Sequence, residues 1–121
     1  MPNWCENTLT IEGSIHSLKA FIELAGNEFD FEKVKPDGEW GTKWSANECE
    51  GWDDCDLEGK DEDKGYVNTT FQTAWGPPIE VMEHLEKLFP DFKITLTYKE
   101  RGNCFMGAYT TEKRNQRIKY N

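Results

Sequence analysis

Apolar and polar residues alternate from Cys5 to Ile11, with Cys5, Asn7, Leu9 and Ile11 on one side and Glu6, Thr8 and Thr10 on the other. A period of two predicts a strand with one face against a core. Gly13-Ser14 interrupts the alternation, and Ser14 offers the side-chain acceptor that helix N-termini favour. Ile15, Leu18, Phe21, Ile22 and Ala25 then recur at helical spacing, and Gly26-Asn27 supplies the stop. Phe29 and Phe31 alternate over a short extended piece that ends near Lys35-Pro36-Asp37-Gly38. Trp40 to Ala46 fits a short strand or a packed loop equally well.

Regular patterning resumes at Tyr66. Val67, Thr69, Phe71, Thr73 and Trp75 share one face of a strand rich in β-formers. Pro77-Pro78 ends it and opens a helix, because proline is tolerated in a first turn. Ile79, Met82, Leu85 and Phe89 mark that helix's buried stripe, which Pro90 closes. Phe92, Ile94, Leu96 and Tyr98 then point inward while Lys93, Thr95, Thr97 and Lys99 point outward. A turn at Arg101-Gly102-Asn103 leads into a hairpin partner from Cys104 to Thr111, and a last short strand is expected around Arg117 to Tyr120. The order predicts an α+β chain with the ferredoxin-like split β-α-β arrangement, an antiparallel sheet carrying two helices on one face.

Length and composition add limits. The 121 residues suit a single domain spanning 1–121. Hydrophobic residues at 36% and aromatics at 13% argue against disorder of the whole chain. Trp4, Trp40, Trp44 and Trp75 stand in turn-rich phrases, where large flat side chains plug the ends of a sheet. No segment reads as a secretory signal, and none approaches the roughly 20 apolar residues of a bilayer-spanning helix. The expectation is a soluble cytoplasmic protein that does not engage the membrane.

Charge changes the picture more. The net charge is -9, yet residues 47–63 alone carry nine carboxylates against Lys60, a local charge of -8. They are Glu48, Glu50, Asp53, Asp54, Asp56, Glu58, Asp61, Glu62 and Asp63. The remainder is almost neutral, and its end leans basic through Lys113, Arg114, Arg117 and Lys119. With Gly51, Gly59 and Gly65 and few apolar anchors beyond Trp52 and Leu57, the stretch from about 47 to 65 is expected to be an exposed acidic insertion.

Candidate chemistry is sparse. Cys49 and Cys55 are separated by five residues, whereas zinc knuckles prefer about two to four. Cys5 or Cys104 with His16 or His84 would make a thiol-imidazole pair, but both cysteines fall on predicted strands as small core residues. No phosphate-cradling glycine motif appears. The outward residues of the clearest strand lack the stacking aromatics of an RNA-binding sheet. The expectation is therefore a non-enzyme with no cofactor and no metal. In the acidic segment, Trp52 is framed by carboxylates, which suits an anchored, electrostatically steered interface. Extended at about 3.4 Å per residue, the segment carries roughly half the linear charge density of one DNA strand, and folding back as a hairpin would raise it.

Several ordered phrases resemble a known family. Met1-Pro2-Asn3-Trp4-Cys5 with Asn7, Leu9, Ile11 and Gly13 is similar to the start of the Api92-like, YubB-type proteins of phages and plasmids. So are Phe29-Asp30-Phe31 with Pro36, Trp40-Gly41-Thr42-Lys43-Trp44, Phe71-Gln72-Thr73-Ala74-Trp75-Gly76-Pro77-Pro78, Phe89-Pro90, and Tyr98-Lys99-Glu100-Arg101-Gly102 with Phe105 and Gly107. The resemblance implies a ferredoxin-like protein of a mobile element in a bacterial cytoplasm, and it transfers no catalytic residue. The acidic, cysteine-bearing stretch looks like a departure from the family pattern.

Together these features lead to a non-enzymatic accessory protein. Its partner-binding residues would be Glu48, Glu50, Trp52, Asp53, Asp54, Asp56, Glu58, Asp61, Glu62 and Asp63. Its partner would be a host or defence-system protein with a basic surface, such as the nucleic-acid channel of a CRISPR-Cas complex, which the segment would mimic. The alternatives are a nucleic-acid-associated domain acting through its sheet or its basic end, and a small metal-dependent enzyme.

Overall fold

The computed structural model describes residues 4–26, 54–74 and 76–119. Along them run β1 (Trp4–Ser14), α1 (Ile15–Ala25), β2 (Asp54–Asp56), β3 (Lys64–Ala74), α2 (Ile79–Leu88), β4 (Lys93–Glu100), β5 (Phe105–Thr110) and β6 (Arg114–Lys119). The strands form one sheet in the order β2-β3-β1-β4-β5-β6, with every neighbouring pair antiparallel. The first strand in sequence thus lies inside the sheet. β1-α1-β2 leaves a gap that β3 fills, and β3-α2-β4 leaves a gap that β1 fills. These interleaved units make the ferredoxin-like arrangement, which the β5–β6 hairpin extends beyond β4.

The alternation read from sequence decides which face is buried. Leu9 lies opposite Leu96, and Ile11 lies opposite both Ile94 and Val67, so one face of three strands carries the core. Helix α1 buries Ile15, Leu18, Phe21 and Ala25 on it, and α2 buries Val81, Met82 and Leu85. Val81 belongs to that stripe although the helical spacing singled out Ile79 and Phe89, which are half-buried. Phe89 stacks on Phe92 at 4.6 Å between centroids, and the edge of Phe21 meets both rings. That triad ties both helices to the start of β4.

Local signals explain the boundaries. Ser14 Oγ accepts the Ser17 N–H at 3.2 Å, as its capping role predicts. Gly26 ends α1 at φ 75°, and its N–H donates to Ile22 O at 2.8 Å. Strand β3 starts at Lys64, before the expected Tyr66, and the last strand covers Arg114–Lys119, ahead of the expected Arg117 to Tyr120. Trp4 is half-buried at the end of β1. The readings on Phe29 to Phe31, on Trp40 to Ala46 and on Trp75 lie outside the described residues.

Candidate functional site

The described part of the acidic segment enters the sheet at Asp54–Asp56 and runs on as a mostly exposed turn over 57–63. Expected to be an exposed insertion, it contributes β2, whose Cys55 pairs with Val67 and whose Asp56 pairs with Tyr66. Cys55 and Leu57 alternate with Asp54 and Asp56, and Leu57 packs half-buried against the core, which is the period-two signal for this strand. Gly65 lets β2 approach: a Cβ there would collide with the Asp56 carbonyl oxygen and press on Ile15 at 3.1 Å.

Between β2 and β3 the chain folds back over the start of α1. The Asp63 carbonyl accepts the Ile15 N–H at 2.9 Å and the Asp61 carbonyl accepts the His16 N–H at 3.1 Å. Two orphan donors of the helix are thereby satisfied by backbone. Within the turn, Asp63 Oδ2 accepts the Lys60 N–H at 2.9 Å, and the Asp63 N–H donates to the Lys60 carbonyl at 3.0 Å. Asp91 arrives from the other side; its carboxylate accepts the Ser14 N–H at 3.0 Å and the Ser17 hydroxyl at 3.1 Å. Burial pulls the Asp91 carboxyl upward, but the bonds from Ser14 and Ser17 outweigh it and hold the group below the usual carboxylate range. Carboxylates also favour the positive end of a helix dipole.

Of the candidate partner-binding residues, Glu48, Glu50, Trp52 and Asp53 lie outside the described residues, as does the Asp54 side chain. Asp56, Glu58, Asp61, Glu62 and Asp63 are all exposed on this one corner. Asp63 is occupied by its turn, and Asp61 stands 3.9 Å from exposed His16. Asp56 Oδ1 accepts the Glu58 N–H at 3.4 Å, a bond that asparagine can keep, and Glu58 and Glu62 are the carboxylates least committed to the fold.

The other end of the sheet holds a buried polar cluster that sequence reading did not single out. Asn7 Nδ2 donates to Thr73 Oγ1 at 3.0 Å and to the Cys5 carbonyl at 3.1 Å. Cys5 lies directly opposite Glu100, which is fully buried and accepts the Asn103 N–H on both carboxylate oxygens, at 3.1 and 3.2 Å. Burial, and then the charge of Glu100, push the Cys5 thiol up to about 12, which disarms it as a nucleophile. Only the inward parity of Asn7 and Glu100 on otherwise apolar strand faces hinted at this cluster.

A second unforeseen feature joins the β5–β6 hairpin to α2. Arg114 donates to Glu86 and, at 3.0 Å, to the Tyr109 hydroxyl. Burial, and then the bond to Glu86, raise Tyr109 to about 12, so the phenol stays neutral. The clasp walls a groove of about 870 Å³, where Glu86 Oε1 is buried without a hydrogen-bond partner among the described residues.

The centre of the sheet face opposite the helices is polar, with Thr8 opposite both Thr70 and Thr97, and Thr10 opposite Thr95. Strand alternation places Trp4 and Tyr66 on that face, at opposite ends of the β1–β3 pair, so they cannot stack neighbouring bases. Among the described residues no helix is long and apolar enough to cross a membrane, and no three His, Cys, Asp or Glu side chains gather as a metal site.

The family model described as the ferredoxin-like domain in Api92-like protein matches residues 39–121, and the chain belongs to this family. The match covers more than half of the chain and agrees with the α+β architecture. It begins after β1 and α1, yet β1 supplies the strand between β3 and β4. No curated protein and no solved structure gives a significant match.

Proposed function

We propose that this protein acts by binding and not by catalysis, as a phage- or plasmid-encoded accessory protein of the bacterial cytoplasm, with residues 1–121 folding as one domain. Its acidic segment engages a basic surface of a host protein, such as the nucleic-acid channel of a CRISPR-Cas or other defence complex. The observation carrying this reading is the corner formed by β2, the turn to β3 and the start of α1. There Asp56, Glu58, Asp61 and Glu62 are displayed on backbone that β3 holds at Asp56 and that the His16 and Ile15 amides hold at Asp61 and Asp63. A pinned backbone loses little entropy when bound, and gathered charge steers a basic partner toward it. The returning strand β3 carries no carboxylate, so the part of the segment that would mimic nucleic acid is the turn bearing Glu58, Asp61 and Glu62, next to Asp56 on β2.

Affinity capture from a bacterial host tests the proposal, comparing the native chain with the Asp56→Asn, Glu58→Gln, Glu62→Gln variant. A basic partner retained by the native chain and lost by the variant is expected, with association weakening steeply as salt rises. Equal capture by both chains would refute the charge mechanism. Turnover of any substrate by the isolated protein would refute the non-enzymatic reading.

A further inference from the structure

We infer that the β6 edge is a second interaction surface, taking by strand addition an extended polypeptide with carboxylates at alternate positions and apolar residues between them. β6 pairs with β5 along all six of its residues. On its other side, among the described residues, no strand pairs with it. A strand edge offers donors and acceptors in alternation, and another strand completes both sets.

The faces of β6 specify what that strand carries. On the helix-bearing face, Arg117 lies with its guanidinium 4.2 Å from the Phe105 ring centroid and 5.9 Å from that of Tyr98. Lys119 follows on the same face, opposite Phe105. Stacking holds Arg117 in place, so less side-chain freedom is lost when a carboxylate pairs with it. On the open face, Ile118 lies opposite Met106 and is 62% exposed. Together with Thr97 and Ala108 they line a groove of about 590 Å³, able to take an apolar side chain. Charged residues on an edge strand commonly serve to block aggregation. An exposed isoleucine on the edge, above a groove, works against that purpose and fits a partner's side chain instead.

The same faces argue against other occupants. Two β6 strands side by side would bring Arg117 and Lys119 of both copies together, and facing like charges destabilise a sheet. Strand β2 of a second copy, continued with its helices on the same side, places Asp56 on the face of Ile118 and not that of Arg117. Nucleic acid satisfies the cations, but its phosphates meet the outward carbonyls of β6 with no donor to offer.

The test uses the full chain and a labelled, end-blocked octapeptide of alternating glutamate and valine, followed by fluorescence anisotropy and by amide hydrogen exchange. Binding is expected to raise protection of the outward amides of β6 by about tenfold or more. Lys119→Glu should weaken it by about tenfold and Ile118→Thr by a few-fold. N-methylating alternate peptide amides should abolish binding in one phase and spare it in the other, a comparison that leaves the protein unaltered. Equal affinity for a peptide of the same composition in scrambled order would overturn the inference. So would tighter binding of a uridine oligonucleotide, self-association through β6 that the peptide does not displace, or no protection gained in β6. None of these outcomes depends on the acidic corner, so the two surfaces stand or fall separately.

Discussion

The acidic corner and the basic edge lie at opposite ends of one sheet and are anchored by different means. At the corner, backbone does the holding: β2 pairs with β3, and two carbonyls accept the first amides of α1. At the edge, side chains do it: Arg114 clasps Glu86 and Tyr109, and Arg117 covers Phe105. A corner held by backbone can spend its carboxylates on a partner without loosening itself. An edge held by its own cations cannot give up Arg114 so freely, which leaves stacked Arg117 with Lys119 and Ile118 as the residues available there.

The sharpest way to break this contrast is steric. Gly65→Ala forces a Cβ against the Asp56 carbonyl and Ile15, and should cost about 1–3 kcal/mol in a urea melt, with β2 detaching. Unchanged stability would mean that β2 is not pinned to β3. Next comes Asp91→Ala, which removes the acceptors of Ser14 and Ser17 and should cost about 1 kcal/mol, as a lost helix cap does. The Asp91 carboxyl is held low in the folded state. The stability it gives is therefore present above its unfolded pKa of about 4 and is lost as pH falls through the lower folded value. A native chain whose advantage over the variant grows on acidification would contradict that sign. Arg114→Ala should speed amide exchange in β6 more than in β1 or β3, because the clasp holds only the hairpin. The smallest effect belongs to the Asp56→Asn, Glu58→Gln, Glu62→Gln variant, expected within about 0.5 kcal/mol per substitution of the native chain. A large loss would make these carboxylates structural and remove the reason to assign them to a partner.

Thiol labelling sharpens the same map. Cys55 on the exposed β2 edge should react readily with iodoacetamide at pH 8, whereas buried Cys5 should react only after unfolding. Rapid labelling of Cys5 in the folded chain would show that its end of the sheet opens.

Much of the fold was legible because strand and helix periods are local. Cys5 to Ile11 and Phe92 to Lys99 declared their inward faces outright, and Ser14 and Gly26 declared the ends of α1. Strand β2 escaped notice because three residues with two aspartates hold too little apolar pattern, and Leu57 marks an apolar anchor without saying which element it packs on. Glu100, Glu86 and Arg114 escaped for a related reason. Such charged side chains are placed by partners on other elements, such as Glu86 on α2 for Arg114 and Cys5 on β1 for Glu100, and no local spacing encodes them.

By itself, then, the amino-acid order determined the periods, the caps and the gathering of negative charge between Asn47 and Asp63, since each follows from neighbours along the chain. Only the tertiary structure decided that part of this charge rests on the first turn of α1 while the cations of β6 line the far edge. Those placements depend on β1 sitting between β3 and β4, and pairing across such sequence distance is settled by packing, not by local preference.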